Sequence, residues 1–282
     1  MIVWKLLQVE WLKTRRRAAF WLSLLFYFSL ITLFFVTMYR MQRRRPDAGA
    51  VFLLPDAWSQ LAQMTAALGG VVLVVAIVLL VASEKNWRTE LQMVIDGLSR
   101  YQYFLGQLLL LLALPLIVWA GTIALSSAFA LITRRAGADA ALFDAESAQL
   151  LGGLYVRLVL LAAIAFCFAL ISTGSGPALA FVLLLLIAQQ PIMQIMLDRG
   201  GFWVDIARYL PDRIMDSLTN ETMYDAAQLA AWNDRLRAVA QSRGMELHAL
   251  TLHAPAQAFT AAAAYIAAFT GAGWLSIRRR DL

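Results

Sequence analysis

The sequence predicts an all-α, polytopic membrane protein. It has six transmembrane helices, an N-terminal amphipathic surface helix and a helical extracytoplasmic loop between spans five and six. Three observations predict this. The chain is 61% hydrophobic and only 15% charged, far from the roughly 25% charged residues of soluble domains. Several of its apolar runs exceed the 18 or so residues that mark a membrane span. Ten-residue alternating patterns are absent, so helices satisfy the backbone in lipid rather than a closed barrel. Residues 1–282 read as a single membrane domain.

Residues 1–17, MIVWKLLQVEWLKTRRR, come first. Val3, Trp4, Leu7 and Trp11 fall on one helical face, with Lys5 and Lys13 elsewhere. Trp favours the membrane interface and lysines face phosphate. The segment reads as a helix on the cytoplasmic surface; an ordinary basic flank is the alternative. The first span, Ala18 to Tyr39, is too long for a signal-peptide core and has no small-residue cleavage site after it. Residues 40–60 carry Arg40, Arg43, Arg44 and Arg45, which sit awkwardly on an outside loop.

The second span, Leu61 to Ala82, contains Gly69-Gly70, small residues that let helices approach closely. The third, Phe104 to Ile132, is long and holds Pro115, which predicts a tilt or kink. A polar outside loop, 133–149, leads to the fourth span, Leu150 to Ser172. Arg157 lies about two turns into it. Two readings fit this charge: snorkelling to the outer face, or a functional group facing the bundle. Ser172-Thr173-Gly174-Ser175-Gly176-Pro177 is a tight turn into the fifth span, Pro177 to Leu197. That span carries Gln189-Gln190-Pro191. Two amides before a helix breaker need partners in lipid. They either brace a kink or form a polar wall of a candidate translocation path, to which Arg157 would also belong.

Residues 198–255 form the sizeable extramembrane piece. Phe202 to Leu218 and Tyr224 to Ser242 read as helices, with a break at Tyr209-Leu210-Pro211 and Gly244 as a terminator. The Ala-rich sixth span, Ala256 to Ile277, ends in Arg278-Arg279-Arg280-Asp281-Leu282. Six spans put both termini on one side, in agreement with the arginine triplets at 15–17 and 278–280. Lys and Arg number eleven on the segments assigned inside, against six on the two shorter outside loops. Six more lie on the long outside loop, where the positive-inside rule discounts them. The net charge of +6 therefore reflects topology and anionic lipid, and not nucleic-acid binding.

The stretch with the most pattern is 83–103, a charged island between two uncharged apolar runs. Glu84, Lys85, Arg88 and Glu90 crowd its start. Leu91, Val94, Ile95 and Leu98 recur at helical spacing, giving a short amphipathic helix. Gly97 is placed to end that helix with a left-handed cap. Ser99 followed by Gln102 reads as a capping box opening the next span. Such a helix either rests on lipid headgroups or offers a soluble partner a stripe to grip.

The run E-K-x-x-R-T-x-x-x-x-x-I-D-G-L-S-R-x-x-x-F-L, from Glu84 to Leu105, resembles the first cytoplasmic loop of type-2 ATP-binding-cassette (ABC) exporter permeases. The likeness extends to the six-span layout, to the segment around Tyr209-Leu210-Pro211 and to the Arg-Arg-Asp-Leu end. One departure is Arg88 before Thr89, where the family often has Gly. The resemblance implies a connecting helix at 1–17, a coupling loop at 83–103 and an extracytoplasmic helical loop at 198–255. It implies that Glu84, Lys85, Arg88, Leu91, Ile95, Asp96, Gly97, Ser99 and Arg100 couple this chain to an ATPase. It further implies two ATP-binding subunits that carry the ATP and Mg, and a second permease, identical or homologous. The setting would be the bacterial cytoplasmic membrane, with export as the direction and an extracytoplasmic protein as a further partner.

The chain itself has no G-x-x-x-x-G-K-[ST] and no Gly-Lys pair, so ATP hydrolysis would belong to another polypeptide. It reads as no enzyme, with no cofactor of its own. The lone Cys167 sits in an apolar run and reads as a core residue. His248 and His253 lack the company a metal needs. The spans hold no acidic residue, which argues against a proton- or sodium-coupled carrier. The alternative to a permease is a non-transporting membrane scaffold or mechanical relay coupled to an ATPase.

Overall fold

The computed structural model describes residues 2–44, 58–86, 99–133, 143–220, 224–242 and 252–279. Among these, all regular structure is helical. In chain order the helices are α1 (Ile2–Arg15), α2 (Ala18–Arg44), α3 (Trp58–Met64), a π turn (Thr65–Gly69), α4 (Gly70–Asn86), α5 (Arg100–Thr133) and α6 (Ala145–Ile171). There follow α7 (Ser175–Arg199), α8 (Phe202–Arg208), α9 (Pro211–Leu218), α10 (Ala226–Ser242) and α11 (Pro255–Arg278). Six of the described segments are long and apolar enough to cross a membrane: α2, α3 through α4, α5, α6, α7 and α11.

A helix that is apolar on every side has no face to give to water and is buried by neighbours. That is α6, whose most apolar window is 72% buried, against 11% for α7. It opens on a capping box in which Asp144 accepts from Ser147 N at 2.7 Å. From Leu158 to Ala165 every side chain is buried, and α4, α5, α7 and α11 pack around it. Cys167 is buried in the same helix.

The second membrane segment departs from a uniform helix. It begins at Trp58, three residues before the expected Leu61, and is interrupted by the π turn. There Tyr27 of α2 hydrogen-bonds Thr122 at 2.6 Å and donates to Thr65 at 3.4 Å. Gly69 lies against the Tyr27 ring and Gly70 against Leu161, the close approaches that the glycine pair allows. Pro115 sits inside α5, which continues through it. At 34 residues, α5 is about 50 Å long, more than a bilayer core of about 30 Å.

After α7 the chain reverses through Gly200 and Gly201 at φ 68° and 56°, conformations that cost a glycine little. The expected break at Tyr209-Leu210-Pro211 separates α8 from α9, with Pro211 in the first turn of α9. The short helix α9 packs on α6 and α11. Gly153 of α6 makes this contact possible. A Cβ there would stand 2.1 Å from both the Leu218 carbonyl oxygen and the Tyr224 hydroxyl.

Gly153→Ala is therefore expected to destabilise the fold by roughly 1–3 kcal/mol, the usual range for overpacking. Gly152→Ala, whose added Cβ would meet nothing within 4 Å, is the matched control and should be near neutral. Thermal unfolding of the two variants in one detergent checks this.

Candidate functional site

The root of the 83–103 segment is where charge concentrates inside the protein. Residues 16 and 17 interrupt the helix at the α1–α2 junction, and Arg17 N bonds back to the Thr14 carbonyl at 3.1 Å. This bend points Arg17 at the last turns of α4. Its Nη1 donates to the Leu80 carbonyl at 2.5 Å and to Ser83 Oγ at 2.7 Å, and its Nη2 reaches Glu84 at 3.1 Å. A cation near a helix C-terminus also meets the negative end of the dipole.

Glu84 is 2% exposed and has both oxygens engaged. Oε1 accepts from Arg17 at 3.1 Å and from Lys13 of α1 at 3.3 Å. Oε2 accepts from the Tyr103 hydroxyl at 3.1 Å and from Gln107 Nε2 at 2.6 Å. Tyr103 and Gln107 are one turn apart on α5 and share a face. Lys13 also pairs with Glu10 at 2.5 Å. Gly106 lets α1 lie close: a Cβ there would be 3.2 Å from Glu10 Cγ and Oε1. Two carboxylates are thus matched by two cations, with a hydroxyl and an amide filling the remaining acceptor positions.

Burial is the leading influence on Glu10 and pushes its carboxyl above the ordinary value; Lys13 opposes, and the charge of Glu84 adds to the rise. Burying an ion pair costs several kcal/mol per ion unless the geometry is good. Here each charge has a partner, so the arrangement is tolerated and specific.

Of the residues expected to couple, three are described with their side chains. Glu84 is the centre of the network. Ser99 caps α5 as expected: Ser99 Oγ accepts from Gln102 N at 3.2 Å, and Gln102 Oε1 accepts from Ser99 N at 3.0 Å. Arg100 donates to the Arg278 carbonyl at 3.1 Å, at the C-terminal end of α11. The side chain of Lys85, and all of Arg88, Leu91, Ile95, Asp96 and Gly97, lie outside the described residues. Sequence reasoning missed Glu10, Arg17, Tyr103 and Gln107, and gave Lys13 to lipid phosphate where the structure turns it to Glu10 and Glu84. The signal that could have found Tyr103 and Gln107 was a pair of polar residues at i, i+4 opening an otherwise apolar span.

At the other end of the bundle, the three polar residues of spans four and five meet on one element, α9. Gln189 is 3% exposed, and its Oε1 accepts from Asp212 N at 2.8 Å. That N–H is one of the first-turn donors a helix cannot satisfy itself. Gln190 Nε2 donates to Asp212 Oδ2 at 2.5 Å. Arg157 Nη1 reaches the opposite end of α9, donating to the Met215 carbonyl at 2.8 Å, Asp216 Oδ1 at 3.3 Å and Thr219 Oγ1 at 2.6 Å. Both ends of the short helix are held by side chains from two different spans. His253 is buried with its Nε2 2.8 Å from the Arg208 carbonyl, and His248 lies outside the described residues.

A family model described as ABC-2 family transporter protein matches residues 6–189. The match runs from α1 to Gln189 in α7 and contains the whole Glu84 network. No curated protein and no solved structure matches the chain.

Glu84→Ala removes the buried carboxylate that half-buried Lys13 and Arg17 share, and should cost up to roughly 3 kcal/mol, the low end for breaking a buried pair. Glu10 behaves oppositely. A carboxyl raised in the fold supplies stability that is full below its unfolded value and is lost as pH rises through its folded value. Glu10→Gln should therefore flatten the loss of stability as pH rises above the ordinary carboxylate range. Thermal unfolding of both variants across that rise in pH is the check; a Glu10→Gln curve parallel to wild type would contradict it.

Proposed function

This chain belongs to the ABC-2 transporter family, and on that premise we propose that it is an export permease driven by a separate ATP-binding subunit through its 83–103 segment. Family membership makes it a membrane-spanning transport component of an ABC transporter. What supports the finer reading is one observation. The two ends of the segment converge on one carboxylate, because Glu84 stands at its start and accepts from Tyr103 at its end and from Gln107 one turn further on. A push on residues 87–98 would therefore enter α4 and α5 together, and α1 through Lys13 and Arg17. A ligand shifts a conformational equilibrium only through contacts that differ between its states. A root that does not deform is what such contacts need.

We infer the membrane orientation from charge. Lys13, Arg15, Arg16, Arg17, Arg100 and Arg278 gather at the Glu84 end, which we assign to the cytoplasm by the positive-inside rule. Helix α8 to α10 would then be extracytoplasmic. On α1 the polar Glu10 and Thr14 face inward, while Val9, Trp11 and Leu12 are exposed. That supports a helix lying in the interface with its apolar side in lipid. Two ATPases and a second permease, identical or homologous, complete the proposed assembly, with an extracytoplasmic protein as a further partner. ATP and Mg belong to the ATPase.

Leu91 and Ile95 would insert together into a groove on the ATPase, with Glu84 and Arg88 bracing the helix and Asp96 and Arg100 setting register by charge. Ile95→Asp should abolish ATPase association, because it would bury an unpaired charge. Gly97→Val should leave membrane insertion intact but weaken coupling. Pull-down of the ATPase and substrate-linked ATP turnover in liposomes are the readouts. If Ile95→Asp bound and coupled like wild type, the segment would not be the transmission element. ATP turnover that moved no substrate would make the chain a relay instead.

A further inference from the structure

A cavity of about 390 Å³ opens beside α9, between the π turn region and α10. Pockets that bind small molecules run from roughly 300 to 1,000 Å³, so this one has room for a head group and the start of a chain. Two larger grooves lie on α11 and on α2, at about 530 and 510 Å³, and neither is lined by a charged residue. The cavity beside α9 differs. It is lined by Arg157 and Arg213, with Gln63 and Asn220 as amides and Trp232 and Leu236 as an apolar wall.

In its lining two guanidiniums meet one carboxylate, with Asp212 close enough to Arg157 and Asp216 to act on both. Asp216 is the acidic residue in the lining, and its Oδ1 is already engaged by Arg157 at 3.3 Å. Arg157 Nη1 serves its three acceptors on α9 and the residue after it, while its Nε–H is enclosed with no acceptor among the described residues. Among the same residues, the hydrogen bond of Arg213 goes from Nε to Met193 Sδ at 3.1 Å, a weak acceptor. An arginine in a membrane segment is costly and marks a ligand or ion path by default. The α9 carbonyl and the Asp216 carboxylate engage Nη1 of Arg157 and leave its Nε–H over. A guanidinium with donors to spare, beside a second one, is suited to an oxyanion, which accepts their fork of N–H groups.

We propose that this cavity binds the oxyanion head, phosphate or carboxylate, of an amphiphile whose apolar body lies along the Trp232 and Leu236 wall. Arg213 supplies the principal contact and Arg157 the buried donor behind it. The site needs no ATPase to be tested, so its failure and the failure of the coupling reading are separate results.

The test uses the purified full chain in nanodiscs of phosphatidylcholine. The probe is phosphatidylglycerol with brominated acyl chains, which quenches nearby tryptophans. Trp232→Phe identifies the part of the signal that comes from the cavity. Saturable quenching of that part is expected with the anionic probe, and none beyond background with brominated phosphatidylcholine. Arg213→Gln should raise the Kd roughly tenfold, the loss of one charged hydrogen bond, and Arg213→Lys should recover part of it. Unchanged thermal unfolding of Arg213→Gln separates lost binding from lost fold. Equal affinity in wild type and Arg213→Gln would overturn the proposal. So would displacement of the probe by inorganic phosphate as effectively as by dodecyl phosphate, which would make the site one for a free anion. A carboxylate amphiphile such as dodecanoate displacing it as well as dodecyl phosphate would support the shared oxyanion chemistry.

Discussion

The hydrocarbon core of a bilayer offers no water to a polar group, so a charge buried among membrane helices depends on partners within the protein. Here that constraint bears most heavily on the Glu84 carboxylate. It is the shared acceptor of α1, the α1–α2 bend and α5, while itself belonging to α4. Without those partners its burial would be prohibitive. With them, three helices are held at fixed relative positions where the chain leaves and re-enters the membrane. The arrangement is polar and directional, so it defines one geometry in a way that apolar packing in lipid does not.

The far end of the bundle uses the same constraint for another purpose. Arg157 and Gln189 would be expensive in lipid, and both are spent on α9, one at each of its ends. An eight-residue helix is too short to hold itself in shape; its stability is borrowed from spans α6 and α7. Any change in the separation of those spans must strain one end of α9. The central helix α6 links the two poles, since it packs on α4, which carries Glu84, and itself carries Arg157. Polar groups and apolar core are thus divided cleanly: the core sets which helices are neighbours, and the buried polar groups set their register.

Much of the architecture was legible in the sequence because hydropathy over twenty residues is a strong signal. All six spans lie where the apolar runs lie, and the Ser99–Gln102 capping box and the Tyr209-Leu210-Pro211 break are local patterns that survive folding. What was not legible is non-local or subtle. Lys13 and Arg17 meet Glu84 across 71 and 67 residues, and nothing in their spacing announces it. The π turn over Thr65–Gly69 leaves hydropathy unchanged, so periodicity cannot reveal it. Gln189, Gln190 and Arg157 were conspicuous individually as polar groups in apolar runs. Their convergence on one short helix required the fold. The centre of the 83–103 segment, where the sequence pattern is richest, lies outside the described residues, so its helix rests on the pattern of Leu91, Val94, Ile95 and Leu98.

The central claim is that α1 and the start of α5 move as one body because they share the Glu84 carboxylate. Spin labels at the exposed positions Val9 and Tyr101, with the distance between them measured by double electron–electron resonance, test it most directly. The permease in complex with its ATPase should give the same narrow distance distribution without nucleotide and with trapped ATP, and Glu84→Gln should broaden it. A wild-type distance that changes with nucleotide would contradict the account.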